Sequence, residues 1–192
     1  MELNEKEIRL KTIKAKKMML LFSMLSIAMT FAGLTSAYIV SKARPDWLKD
    51  FELPFAFVIS TIVIFLSSIS IYIAKKEVLK NEVNKTTFWL STTLALGIIF
   101  IISQFLGFNE LIGLGYFFTG AQSTITTSFL YVLTVLHLIH LFAGLIVLIV
   151  VIINNYKNKY KNEKLGFELA VTFWHFLGFL WLYLFVFLYF FR

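Results

Sequence analysis

Long uninterrupted stretches of apolar residues alternate along the chain with short polar segments. A helix crosses the hydrocarbon of a bilayer with about 20 apolar residues. The stretches are rich in β-branched residues, but open strands would leave backbone groups unpaired in lipid, so their length favours helices. Five stretches are long enough: 18–40, 53–74, 88–107, 125–153 and 168–191. The pattern predicts an all-α integral membrane protein, in which residues 1–192 form a single domain built as a bundle of five transmembrane helices.

Lysine and arginine are distributed unequally between the two sides of this bundle. Six of them precede the first stretch, four lie between the second and third, and four lie between the fourth and fifth. The opposite side holds only four in all. Because cytoplasmic loops of membrane proteins carry the excess of positive charge, the N-terminus is predicted to be cytoplasmic and the C-terminus periplasmic.

The composition excludes several classes of protein. Hydrophobic residues make up 59% of the chain and charged residues 15%, whereas soluble domains average about 45–50% and about 25%. Without Cys, the chain has no disulfide, thiolate nucleophile or Cys-ligated metal. The net charge of +7 arises in the polar segments, which is typical of membrane orientation, so nucleic acid is not a predicted partner. The first 17 residues are too charged for a cleaved signal peptide and are interpreted as a cytoplasmic arm.

Polar residues are costly inside a membrane, so the few present are the candidates for chemistry. His137 and His140 are three positions apart and share a side of the fourth helix. Glu168 and His175 share a side of the fifth. If the three histidines of the chain converged, they would form a metal or haem site. The favoured interpretation is that they are neutral imidazoles bonded to neighbouring helices or lipid headgroups, so no metal ligand is predicted.

Other residues in the stretches have structural interpretations. Glu168 lies at the start of the fifth helix, where the helix dipole favours an anion, and no second buried carboxylate accompanies it in a proton relay. Trp174 and Trp181 are seven positions apart, which is typical of a helix-packing face. Gly144 allows a neighbouring helix to approach closely. The Ser and Thr residues at 123–128 predict an N-cap for the fourth helix.

Several of these residues belong to motifs with a recognisable order. The fifth stretch contains Gly-Phe-Glu at 166–168, Phe-Trp-His-Phe at 173–176 and then Trp181 followed by apolar and aromatic residues. The fourth contains a threonine and two histidines within 134–140, and Gln104 lies near the end of the third. Together they resemble the signature of subunit III of haem–copper respiratory oxidases. The likeness covers nearly the whole chain, which is similar to the last five of the seven spans that the family often has, as in its short bacterial form.

The resemblance implies a subunit without redox centres. Haem and copper would belong to the other core subunits, and this chain would bind only structural phospholipid. It would pack on subunit I of an aa3-type cytochrome c oxidase in the aerobic respiratory chain of a bacterial inner membrane, stabilising assembly and proton uptake. The whole complex would be the proton-translocating oxidoreductase, with a larger respiratory supercomplex as a further candidate partner. The positions that match the family's lipid or subunit contacts are His137, His140, Glu168, Trp174, His175 and Trp181.

Three positions depart from the family's pattern. Its carboxylates in the first, third and fifth of these spans are replaced by Ile27, Gly107 and Gly178. The replacements place in doubt a proton-related role tied to those carboxylates and leave a scaffolding role intact.

A second hypothesis remains open beside this one. The intramembrane histidines are also compatible with a small b-type cytochrome or a quinone-linked membrane anchor. A transporter would need internal repeats or broken helices, and neither is visible. The sequence leaves open the electron donor (cytochrome c, which is preferred, or quinol), the haem types of the partner, and whether another subunit supplies the two missing helices.

Overall fold

The computed structural model describes residues 2–48, 53–120, 122–161 and 163–191, with side chains from residue 7 onward. Lys49 and Arg192, two of the four cations counted on the C-terminal side, lie outside the described residues. The described residues form five α-helices, two three-residue 3-10 helices and no strand, and each α-helix is long and apolar enough to cross a membrane. The helices are α1 (Glu2–Val40), α2 (Phe55–Leu79), α3 (Val83–Gly113), α4 (Ile125–Tyr156) and α5 (Leu165–Phe190). The predicted all-helical bundle with five spans is confirmed.

The helices extend beyond the apolar stretches that predicted them. The largest extension is in α1, which begins at Glu2, so the basic arm before the first span is itself helical. Similarly, α3 runs from Val83 to Gly113, several residues beyond the predicted span at each end. Lys, Glu and Leu are good helix formers in water as well as in lipid. An apolar stretch therefore marks only the part of a helix that lies in hydrocarbon.

Helices α2 and α3 form an antiparallel hairpin. The turn between them places Asn81 at a φ of 60°, a left-handed conformation that Asn adopts more readily than most residues. The Ser70 hydroxyl donates across the hairpin to the carbonyl oxygen of Trp89, 3.0 Å away. This hairpin is the most extensive helix pair of the fold.

Helices α2 to α5 form a closed ring, and α1 lies outside it. In the ring, α2 packs on α3, α3 on α4, α4 on α5 and α5 back on α2, while α1 lies against α4 and α5. Within the 18 most apolar consecutive residues of each helix, 50% are buried in α5 and 11% in α1. Helix α5 is therefore the centre of the packing and α1 its periphery.

Several contacts along α1 attach it to the ring, among them those of Tyr38 with Phe129 of α4 and Phe187 of α5. Near the C-terminal end of α1, the hydroxyls of Thr35 and Tyr183 are 2.9 Å apart. One turn earlier, the Phe31 ring packs edge-on against the His140 ring. Further toward the N-terminus, Lys17 forms a salt bridge to Glu168, described below with the site.

The segment between α3 and α4 folds over the start of α4. Thr127 and Tyr131 donate their hydroxyls to the carbonyl oxygens of Phe117 and Tyr116, each at 3.0 Å. Thr124 and Thr127 form a reciprocal capping box at the first turn of α4. The predicted N-cap is thereby confirmed at Thr124.

Candidate functional site

Two tryptophans of α5 are anchored to hydroxyls of α2. Trp174 and Trp181 are each only 1% exposed, and a buried indole N–H needs an acceptor. The Trp174 Nε1 donates to Ser67 Oγ at 3.1 Å, and the Trp181 Nε1 donates to Thr61 Oγ1 at 3.0 Å. Higher numbers on α5 pair with lower numbers on α2, so the two helices are antiparallel. The predicted packing face of the tryptophans is also a hydrogen-bonding face.

His137 of α4 is buried next to Trp181. Its side chain is 0% exposed, and its ring lies between Phe100 of α3, at 6.0 Å, and Trp181 of α5, at 5.3 Å. Neither ring nitrogen has a hydrogen-bond partner among the described residues. Burying a polar group in this way costs free energy. The predicted hydrogen bond to a neighbouring helix is thus absent for His137 in the described part of the chain.

His140 occupies a different interface from His137. Its Nδ1 lies 2.7 Å from the carbonyl oxygen of Leu136 in its own helix. Its ring faces Phe31 of α1, with the ring centroids 5.9 Å apart. Three-residue spacing puts the two histidines on one side of α4. Their directions around the helix axis still differ enough that the His137 ring enters the core and the His140 ring contacts α1.

Glu168 lies in the first turn of α5, as predicted for an anion favoured by the helix dipole. Its carboxylate is 3.3 Å from the Lys17 ammonium, with side chains 44% and 52% exposed, respectively. A pair this exposed contributes little to stability. Two turns further along α5, His175 is half-buried and within electrostatic reach of Lys75 on α2.

The three histidines therefore lie in three separate helix interfaces. His137 faces α3 and α5, His140 faces α1, and His175 lies on the side of α5 that is near Lys75 of α2. Among residues 2–48, 53–120, 122–161 and 163–191, no three His, Asp or Glu side chains come together in a group that could hold a metal ion.

Glycines set the distance between the helices around the tryptophans. A Cβ at Gly144 would lie 2.7 Å from Leu177 Cδ1, which agrees with the predicted close approach at this position. Sequence reasoning missed Gly97, where a Cβ would lie 2.7 Å from Leu145 and 2.9 Å from Trp174. The only signal in the sequence was a glycine inside an apolar helix, which is weak because such glycines have several structural causes.

Gly107, one of the three positions that depart from the family's pattern, allows α3 to pack closely against α2. A Cβ at Gly107 would lie 2.6 Å from the Phe57 ring. One turn earlier on α3, Gln104 is fully buried and donates its Nε2 to Ser60 Oγ at 2.7 Å. The described residues give its Oε1 no partner. This second link between α2 and α3 was also missed, because serines with several possible structural roles do not reveal their partners in a sequence.

Comparison with known proteins supports the same assignment as the motifs. The family model described as cytochrome c oxidase subunit III matches residues 10–192. The chain belongs to the cytochrome c oxidase subunit III family. This membership confirms the resemblance drawn from the fourth and fifth helices.

Named members of the family from several organisms align with most of this chain. The cytochrome c oxidase subunit 3 of Thermostichus vulcanus is 28% identical over 176 residues, which are 88% of this chain and 84% of the relative. The same subunit of Corynebacterium diphtheriae is 29% identical, covering 84% and 81%. The cytochrome bo(3) ubiquinol oxidase subunit 3 of Buchnera aphidicola is 33% identical, covering 69% and 67%. The chain is therefore a subunit III of a haem–copper oxidase, a multi-span membrane component of an oxidoreductase complex whose partners are the other oxidase subunits.

Proposed function

We propose that this subunit III belongs to an aa3-type cytochrome c oxidase and contains no redox centre of its own. The observation that carries the proposal is the separation of the three histidines into three helix interfaces. A bis-histidine haem requires two rings that face one another across a common cavity. The ring of His137 is instead enclosed by Phe100 and Trp181, and His140 faces α1.

In this proposal the subunit is oriented with its N-terminus in the cytoplasm of a bacterium and its C-terminus in the periplasm. The charge bias of the polar segments supports this orientation. Helix α1, which is the least buried of the five, would then carry its basic N-terminal turns on the cytoplasmic side.

The proposed role is to pack on subunit I, to bind phospholipid, and to maintain assembly and proton uptake. Long apolar surfaces on all five helices support both lipid and subunit contacts; Phe22, Phe65 and Phe179 are among the exposed side chains. The residues that match the family's contact positions divide into two groups. Trp174, Trp181 and His137 are buried inside the bundle, so they act by fixing the helices, while His140, His175 and Glu168 are accessible for contacts.

Cytochrome c is the proposed electron donor. Two of the relatives described above are named cytochrome c oxidase subunits, and the third is named a ubiquinol oxidase subunit. The donor is tested by giving the purified complex reduced cytochrome c or a quinol and measuring oxygen consumption with each.

The redox assignment is tested by purifying the tagged chain from aerobic membranes in mild detergent. We expect haem and a large multi-span subunit to co-purify, and the chain to be colourless once a harsher detergent removes its partners. A Soret band that stays with the stripped chain would contradict the proposal and favour a small b-type cytochrome or quinone-linked anchor. In that case, substitution of His137 would abolish the band.

The role in proton uptake is tested on the same complex. Removing this subunit is expected to shorten the catalytic lifetime of the oxidase during sustained turnover, while the initial rate and the haem spectrum remain. An unchanged lifetime would refute that part of the proposal.

A further inference from the structure

A polar cleft opens where the N-terminal part of α1 meets the turn between α4 and α5. Its volume is about 630 Å³. Three elements line it: α1 through Lys16, the segment after α4 through Lys159 and Glu163, and the start of α5 through Gly166. Lys16 and Lys159 are exposed, and neither forms a salt bridge among the described residues. The charged lining of the cleft is therefore net positive.

The first turn of α5 adds to the attraction of this cleft for an anion. Leu165 and Gly166, the first two residues of that helix, both line the cleft. Lys164 precedes them, and its side chain makes no cap hydrogen bond to the N–H groups of the first turn. The start of a helix carries partial positive charge, which favours a carboxylate beside it. A carboxylate that enters the cleft would meet both lysines and this helix end.

The basic part of α1 continues from this cleft into the aqueous phase. Helix α1 begins 16 residues before the apolar stretch that starts at Met18. Five of the nine residues at 9–17 are Lys or Arg, none is acidic, and all five cations are exposed. At about 1.5 Å per residue, Arg9 lies about 13 Å beyond the start of the apolar stretch. The headgroup layer is only about 5–8 Å deep, so lipid reaches the base of this part of α1 and leaves Arg9 and Lys11 to a partner in water.

Repulsion between these cations favours an acidic partner. Lys11, Lys14 and Lys17 follow one another at three-residue spacing, so they are neighbours on the helix surface, where like charges destabilise the helix. Glu168 pairs with Lys17, but no carboxylate among the described residues forms a salt bridge with Lys11 or Lys14. In the other two polar segments on this side of the bundle, glutamates are interspersed with the lysines. The excess of positive charge is therefore concentrated on α1 and its cleft.

We propose that an acidic segment on the cytoplasmic side of a neighbouring oxidase subunit docks along residues 9–17 of α1 and places one carboxylate in the cleft, at Lys16 and Lys159. This inference rests on the proposed orientation and on the proposed packing against other oxidase subunits, and it adds the place and the charge of one contact. Charge complementarity selects the occupant. A small anion would fill only the cleft, whereas an acidic polypeptide contacts the whole basic surface.

The docking is tested by titrating the full chain onto an oxidase complex from which this subunit has been removed, and measuring Kd at low and high salt. At about 1 M sodium chloride the Debye length is about 3 Å, so exposed ion pairs are screened while apolar helix packing persists. Two such pairs change Kd about fivefold, which is the weakening expected at low salt for the double variant Lys16→Gln with Lys159→Gln. The matched control is Lys80→Gln with Lys85→Gln, which removes the same charge outside the cleft and should change Kd less than about twofold.

The occupant is identified on the intact complex with a carbodiimide, which joins a lysine amine to a carboxylate in direct contact with it. We expect peptides that contain Lys14, Lys16 or Lys159 to be joined to Asp or Glu of another oxidase subunit, and these links to be lost at high salt. A second double variant, Arg9→Gln with Lys11→Gln, removes charge above the headgroup layer. It should also weaken binding, because the proposed segment runs along the whole basic part of α1.

Three results would overturn the inference: a Kd that does not change with salt, equal effects of the cleft variant and its control, or cross-links confined to this chain. Unchanged binding by Arg9→Gln with Lys11→Gln would also overturn it, since the contact would then be limited to the level of lipid headgroups. In each case haem still co-purifies with the tagged chain, so failure here is distinguishable from failure of the proposed oxidase role.

Discussion

Replacing Gly97 with alanine tests the packing at the centre of the bundle. The added Cβ would lie 2.7 Å from Leu145 Cδ2 and 2.9 Å from the Trp174 ring, on two different helices. The Leu145 methyl can rotate away. The indole cannot do so freely, because its Nε1 is bonded to Ser67 at 3.1 Å. Relief of the clash must therefore weaken that hydrogen bond or separate α3 from α5.

The expected magnitude follows from two opposing effects. Overpacking of a filled core costs about 1–3 kcal/mol. Replacing glycine with alanine inside a helix raises the free energy of unfolding by about 0.5–1 kcal/mol. Gly33→Ala is the matched control, because no atom lies within 4 Å of a Cβ at Gly33 and only the second effect acts there. We expect the free energy of unfolding of Gly97→Ala to lie about 1–3 kcal/mol below that of Gly33→Ala.

The assay is unfolding of the purified chain by titration with sodium dodecyl sulfate, followed by far-UV circular dichroism and by tryptophan fluorescence. Because Trp174 is in the affected contact, its fluorescence should respond to Gly97→Ala even before unfolding and should not respond to Gly33→Ala. If the two alanine variants are equally stable, the close packing of α3 against α5 described here is incorrect.

Three further predictions use the same unfolding assay. A double-mutant cycle of Trp174→Phe with Ser67→Ala should give a coupling of about 0.6 kcal/mol and no more than about 1.7, the range for hydrogen bonds between membrane helices; zero coupling would mean that the bond is not formed. His137→Leu should be at least as stable as the wild-type chain, because it removes a buried group whose nitrogens lack partners in the described structure, and a loss above about 1 kcal/mol would reveal a partner. Lys17→Gln should change stability by less than about 1 kcal/mol, since its salt bridge is half exposed, and a larger loss would indicate a more buried pair.

The sequence predicted those features that depend on local physical chemistry. Five apolar stretches predicted five helices, because the length needed to cross a bilayer is fixed. The hydroxyls near Thr124 predicted the N-cap, and Gly144 predicted a close helix approach. Several helices continue beyond the predicted spans, most of all α1, because polar residues continue a helix in water and leave no break in the pattern.

The pairing of side chains between helices was beyond the reach of the sequence. Nothing in the apolar pattern identifies Ser67 and Thr61, rather than other hydroxyls, as the acceptors of the two indoles. In the same way, three-residue spacing places His137 and His140 on one side of α4, but the positions of α1, α3 and α5 around that helix decide which interface each ring enters. Such choices depend on how helices assemble, and one sequence specifies this only through the sum of all its contacts.

The central position of α5 has a consequence for biogenesis. Of the five spans, α5 is the last to leave the ribosome, yet it supplies both indoles that bind α2 and the partner of the glycines at 97 and 144. While translation proceeds, α2 and α3 can form their hairpin, but the ring has an open side and Ser67 and Thr61 await their donors. A nascent chain that stalls before residue 165 therefore lacks both indole donors, and the space beside Gly97 and Gly144 stays unfilled until the final span is inserted.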